Sequence, residues 1–349
     1  MVNSHPTASM PTQGEIFCLK ILNCNINATN LALLFKLLCY NNMKVCPQDI
    51  LFVLNIRYLC LTKNSLQSTM SNNEPLHIDI DKVLKQRVPQ YHKFMPRFAI
   101  AWLKRIIHQD ELNHLLRIMA PTPGLEAANS VLRQLDVKVQ LQGESNIPAE
   151  GRFIFVSNHP LGALDGLTLM SALGKKYAGH IKFLVNDLLM AITPLRPLFL
   201  PVNEYGRQSR LQAQEIDKQY QGDNQMIVFP AGMCSRMNEQ GLIRDLKWHK
   251  FIVTHAIKYK RDIVPIYFDG QNSSFFYRMA RWRKRLGLKF NFELIFLPGE
   301  MFKSKGHTFT IHFGRPIAWQ SLDATQPHAQ AQRLRNLVYQ LSSTVNNQA

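Results

Sequence analysis

Short apolar runs alternate with longer periodic segments along most of this chain. From Pro96 the run RFAIAWLKRIIHQDELNHLLRIM predicts one long helix, with proline at its N-terminal end and Phe98, Trp102 and Ile106 recurring every four residues. That face suits either a core or a membrane surface. After the break at PTPG, LEAANSVLRQL resumes a helical pattern, and VKVQLQG alternates as a strand does. The run FIFVS at 153–157 has the form of a buried strand. IKFLV, LFLPV, MIVFP, IVPIYF, FELIFL and FTIHF repeat that form, with helical patterns between several of them. The last helix, Ala329 to Leu341, sets Leu334, Leu337, Val338 and Leu341 on one side. Strands alternating with helices predict an α/β sheet of mixed strand directions.

Residues 1–69 break this pattern: they are rich in Asn, Leu and Cys, and give way at Met70 to charged, periodic sequence. They are expected to be a non-native or disordered extension, the alternative being a poorly packed helical appendage. Residues 70–136 then form an N-terminal helical region with possible membrane contact, and 137–349 the α/β domain. Five of the six cysteines fall within the extension, without metal-ligand spacing, so no metal is expected. No apolar stretch reaches the roughly 18 residues of a spanning helix, and the N-terminus lacks signal-peptide form. A peripheral protein resident in the cytoplasm is the expectation.

Forty-one Lys and Arg against 24 Asp and Glu give a formal charge of +17, which draws the protein to a polyanion. In FFYRMARWRKRL, Phe275, Met279, Trp282 and Leu286 form an apolar stripe, with Arg278, Arg281, Lys284 and Arg285 on the other side. Such a helix suits the interface of an anionic bilayer, where Trp102 would join it; equally, it can pack its stripe on the core. A nucleic-acid partner fits the charge, but no helix-turn-helix, zinc-finger or RNA-binding motif accompanies it, so none is expected.

Chemistry concentrates at NHPLGALDG, residues 158–166, directly after FIFVS. A histidine at a strand-to-helix turn stands at the sheet rim, where open α/β folds keep ligands. Imidazole is a suitable base for an attacking hydroxyl near neutral pH, and Asp165 can orient and stabilise it. Gly162 allows a tight loop, and the following helix offers free N–H groups to an anionic transition state. Alone, His159 and Asp165 would also suit a structural turn.

NHPLGALD resembles the first motif of the glycerolipid acyltransferases, the 1-acylglycerol-phosphate acyltransferase family, and the later motifs follow in order: LFLPVN (198–203), VFPAGMCSR (228–236) and IVPIYF (263–268). The likeness covers roughly residues 90 to 320. It implies a mixed, mostly parallel twisted sheet flanked by helices and preceded by N-terminal helices. It also implies a catalytic base at His159, oriented by Asp165, and direct acyl transfer from acyl-CoA or acyl-ACP as co-substrate, with no bound cofactor. The site would lie on the cytoplasmic face of the inner membrane. Substrate contacts are expected from Asn158, Gly162, Asn203, Arg207, Phe229, Pro230, Gly232, Ser235 and Arg236, although Phe229, Pro230 and Gly232 could serve only a tight turn.

Three departures bear on the acceptor. Five residues rather than four separate His159 from Asp165, so the loop must bulge; Asn203 replaces an Arg in the second motif; and Ala231 and Cys234 replace the acid and Arg of the third. An Arg holds phosphate through charge-assisted, often bidentate bonds that Asn or Cys cannot replace. The pattern is similar to the haemolysin-like branch, which includes enzymes O-acylating lyso-aminolipids (glycine, serine or ornithine lipids). Such a lysolipid acceptor ranks ahead of a phosphatidate-forming reaction. A non-catalytic membrane adaptor that keeps the fold is the alternative of another class.

Overall fold

The run FIFVS is buried at every position because strand β2 (Phe153–Ser157) is covered on both faces. Its side chains alternate: Phe153 and Phe155 join one apolar cluster, Ile154 and Val156 another on the opposite side of the sheet. A computed structural model of the chain describes residues 77–87, 89–202, 210–287 and 291–342. The extension at 1–69 and the candidate residues Asn203 and Arg207 lie outside these.

The sheet comprises β1 (Lys138–Gln142), β2, β3 (Ile181–Asn186), β4 (Phe199–Val202), β5 (Gln225–Val228), β8 (Asp262–Asp269) and β9 (Thr308–Phe313). The strand order is β1-β9-β8-β2-β5-β3-β4. Every pair is parallel except β8 and β9, so the sheet is mixed and mostly parallel. A two-stranded ribbon, β6 (Arg236–Met237) and β7 (Ile243–Arg244), stands apart from it.

At the N-terminal end lie α1 (Ile80–Arg87), α2 (Pro89–His92), α3 (Arg97–Ile106), α4 (Gln109–Met119) and α5 (Leu125–Gln134). The expected single helix from Pro96 is therefore two. His108 takes a left-handed φ of 56°, its ring meets Phe302 at 5.2 Å, and a side chain on Gly299 would strike it at 3.2 Å. The turn seats the His108 ring against the segment around Gly299. Residues of α4 and α5, among them Leu115, Met119 and Val131, share a core with Phe155 and Phe183. Packing is thus continuous across the expected boundary at residue 137.

One face of the sheet also carries α6 (Leu164–Lys176); the other carries α7 (Arg210–Gln221), α8 (Phe251–Tyr259) and α11 (Pro327–Gln340). Between β8 and β9 come α9 (Ser274–Arg285) and α10 (Leu297–Lys303). The apolar run FELIFL, expected as a strand, forms a 3₁₀ turn at Phe292–Phe296 that leads into α10. A short apolar run does not fix its own period. Here Pro298 starts a helix, Ile295 packs on α1 and α3, and buried Glu293 turns toward Arg236 and Arg283.

Candidate active site

Strand β2 ends at the sheet rim and delivers residues 158–163 as a loop into the N-terminus of α6. In that loop Gly162 takes φ +87°, a conformation open to glycine at little cost. Nδ1 of His159 then lies 2.9 Å from Oδ2 of Asp165, in the first turn of α6. Asp165 is fully buried. Its Oδ2 also accepts from the N–H groups of Leu161 (2.9 Å) and Gly162 (3.3 Å), and its Oδ1 accepts from Gly166 (2.9 Å).

Burial alone would raise the Asp165 carboxyl. The charge of His159, the hydrogen bond it donates and the N–H groups of Leu161 and Gly162 outweigh burial and hold it below the usual carboxylate range. An ionised Asp165 makes Nδ1 the protonated nitrogen and leaves Nε2 as the base. Asp165 thus engages the N–H groups of Leu161 and Gly162 in the loop and that of Gly166 in the first turn of α6.

The imidazole stacks on Phe229, centroids 3.9 Å apart and planes 17° apart, and Phe229 in turn meets Phe183 at 5.2 Å. His159 lines a cavity of about 930 Å³ together with Gly162, Phe229, Pro230 and Gly232. The remaining wall is mainly apolar, drawn from α4, α6 and β3 by residues such as Leu115, Met119, Leu167, Met170 and Phe183. A cavity whose wall is mainly apolar suits a ligand that is mostly hydrocarbon.

Three expected contact residues face elsewhere. The Asn158 amide pairs with the backbone of Phe268, donating to its carbonyl at 3.0 Å and accepting from its N–H at 2.7 Å, and so ties the loop to β8. Ser235 donates to Asp245 at 2.6 Å and, through its N–H, to the His159 carbonyl at 2.7 Å. Arg236 pairs with Glu293 at 3.1 Å and reaches Cys234 Sγ at 2.8 Å. Arg283 closes the buried Glu293 pair from the other side at 3.0 Å. A phosphate would have to compete with that carboxylate for Arg236. Burial pushes the Cys234 thiol up, against the pull of Arg236.

Two buried residues outside every motif support the loop. Asp245 accepts from the His159 N–H at 3.1 Å, and Asn272 donates to the Pro160 carbonyl at 3.1 Å. Only the Trp three residues after Asp245 hinted at its burial; Asn272 carried no local sign.

Toward the surface, α3 buries Ala99, Ile100 and Leu103, leaving Phe98 53% exposed and Trp102 half-buried. Helix α9 packs through Phe276, Tyr277 and Ala280, a stripe offset from the expected one, so Phe275, Met279 and Trp282 are half-buried. Arg278 and Arg285 are exposed, and Arg281 donates to the Asn238 carbonyl at 3.0 Å.

A histidine–carboxylate pair opening on an apolar cavity at the rim of a mixed α/β sheet is suited to acyl transfer. The sequence profile of the acyltransferase family matches residues 82–347, and the chain belongs to that family. It is 44% identical over 273 residues to a lyso-glycine lipid O-acyltransferase of Bacteroides thetaiotaomicron, a span of 78% of this chain and 100% of that protein. A lyso-glycine lipid O-acyltransferase of Phocaeicola vulgatus is likewise 44% identical over 273 residues, covering 78% of this chain and 98% of its own. Among solved structures, the 1-acyl-sn-glycerophosphate acyltransferase PlsC of Thermotoga maritima aligns with a TM-score of 0.36 and 16% identity, over 76% of this chain and 97% of that one.

Proposed function

We propose that this acyltransferase moves a fatty acyl group from acyl-CoA or acyl-ACP to the hydroxyl of a lyso-aminolipid of the glycine-lipid class. The carrying observation is that His159, with Nδ1 fixed by buried Asp165, lines an apolar cavity of about 930 Å³. In the step, Nε2 takes the hydroxyl proton as the oxygen attacks the thioester carbonyl. The tetrahedral intermediate collapses with cleavage of the C–S bond, and the imidazolium returns its proton to the departing thiolate. Ester and free carrier thiol are the products, and Asp165 offsets the imidazolium charge in between.

Direct transfer is supported by Cys234, the thiol nearest in sequence, which is buried, raised in pKa and turned to Arg236. The acceptor class is supported by the names of the two relatives at 44% identity and by the pairing of Arg236 with Glu293. That pairing disfavours a lysophosphatidate acceptor, the second reading, which asks for a free Arg to hold phosphate.

The protein works as a peripheral enzyme on the cytoplasmic face of the inner membrane. Among the described residues no helix is long and apolar enough to cross a bilayer. Exposed Phe98 beside Trp102, and the basic residues Arg278, Arg281 and Arg285 beside Phe275, Met279 and Trp282, suit an anionic lipid surface. The test is product analysis with purified protein, acyl-CoA or acyl-ACP, and equimolar lyso-glycine lipid and lysophosphatidate. Di-acylated glycine lipid as the main product supports the reading; phosphatidate as the main product overturns it.

A further inference from the structure

The mechanism leaves a second buried carboxylate unused, and it touches the same histidine. Asp245 lies between β7 and α8 and is 3% exposed. Its Oδ1 accepts from the His159 N–H at 3.1 Å and from the Ser235 hydroxyl at 2.6 Å, and its Oδ2 accepts from the Trp248 indole N–H at 2.9 Å. Ser235 returns to the same peptide, its N–H donating to the His159 carbonyl at 2.7 Å. Both backbone groups of His159 are thus held by one Asp–Ser pair.

The turn carrying Asp245 is fixed from behind by α11. The Asp245 N–H donates to the Tyr339 hydroxyl oxygen at 2.7 Å, the Arg335 guanidinium donates to the Asp245 carbonyl, and Gln332 exchanges bonds with the Trp248 backbone at 2.8 and 3.3 Å. Gln332, Arg335 and Tyr339 fall on one face of that helix.

We infer that Asp245 is a positioning residue for acyl transfer: it clamps the His159 peptide so that the imidazole stands between Asp165 and Phe229. The inference rests on the reading of His159 as the base. Two fixed N–H donors and a rotatable hydroxyl face the carboxylate, an environment matched to its ionised form. Burial works against that form and raises the Asp245 carboxyl, while the bonds from Ser235, Trp248 and the His159 backbone pull it down in part. Around His159 stand Asp165 on α6 and the buried Cys234 thiol on the β5 loop, and the cavity it lines also takes in His77, Asp79, Lys82, Arg196 and His249; Arg335 and Tyr339 face Asp245 from α11.

The test compares Asp245→Asn, Ser235→Ala and His159→Ala with the natural protein in kcat and KM for acyl transfer to lyso-glycine lipid, alongside thermal unfolding. In Asp245→Asn the amide cannot accept from all three donors, so kcat should fall on the order of tenfold to a hundredfold with KM for the acceptor little changed. Ser235→Ala removes one donor from the carboxylate but keeps the N–H to His159, and should lower kcat several-fold in a folded protein; it decides the matter if Asp245→Asn does not fold. Natural kcat in Asp245→Asn, or natural kcat in Ser235→Ala where Asp245→Asn is unfolded, would overturn the inference. Full activity in His159→Ala would instead remove the underlying assignment of the base.

Discussion

Replacing Asp165 by Asn changes one atom and one charge at the centre of a fully used set of hydrogen bonds. The carboxylate accepts four of them: Oδ2 from His159, Leu161 and Gly162, and Oδ1 from Gly166. The amide can turn its oxygen to the three donors and its NH₂ to Gly166, or the reverse. The first choice loses one bond and the second loses three, so the first is adopted. It leaves the Gly166 N–H facing another donor, which costs about 1–3 kcal/mol of stability. Catalysis suffers more, because the imidazolium loses its anion. At about 4 Å and an effective dielectric near 20, unit charges attract by about 4 kcal/mol, and the neutral bond that remains returns part of this. A net loss of about 2–4 kcal/mol predicts kcat lower by roughly 30- to 1,000-fold. Initial rates of acyl transfer over a range of acceptor concentrations test this, with KM expected within about twofold of the natural value because the cavity wall is intact. A folded Asp165→Asn protein whose kcat stays within about threefold of the natural one would refute the reasoning.

Phe229→Ala removes the ring on which His159 stacks at 3.9 Å and should lower kcat by about tenfold while the chain remains folded, as judged by steady-state kinetics beside circular dichroism. Gly162→Ala places a side chain at φ +87°, where it would also meet Leu297 at 3.2 Å; a loss of about 1–3 kcal/mol in urea unfolding is expected, with reduced activity because this loop carries two donors to Asp165. Stability should also depend on Asp165 through pH. Its folded pKa lies below its ordinary value of 3.8, so its contribution is complete above that pH and is lost as pH falls through the folded value. Urea midpoints measured from pH 6 down to 3 should therefore fall more steeply below about pH 4 in the natural protein than in Asp165→Asn.

The parts of the fold that the sequence revealed are those in which one local rule governs. FIFVS and the first three residues of MIVFP lie in strands buried on both faces, and an uninterrupted apolar run signals that without ambiguity about the face. FELIFL looked the same, yet Glu293 within it is a buried partner for two arginines and Pro298 starts a helix, so long-range charge pairing overrode the local pattern. The helix from Pro96 was divided for a similar reason, since the contacts of His108 with Phe302 and the close approach of Gly299 lie far away in the chain. At the site, the rim position of His159 and the reach of Asp165 could be read from a strand, a glycine and a helix. The orientation of Asn158, Ser235 and Arg236 could not, because their partners Phe268, Asp245 and Glu293 arrive from elements 10 to 110 residues on. Asp245 itself was marked only by Trp248 three residues on, since an aspartate in a loop has nearly the same local appearance whether exposed or buried.

The most direct test is single-turnover acyl transfer by His159→Ala, measured in the presence of saturating acyl thioester and lyso-glycine lipid. Without the Nε2 base the rate should fall by at least about a hundredfold, while the unfolding temperature and binding to anionic vesicles stay close to those of the natural protein. A folded His159→Ala protein that forms the ester at the natural rate would contradict the account.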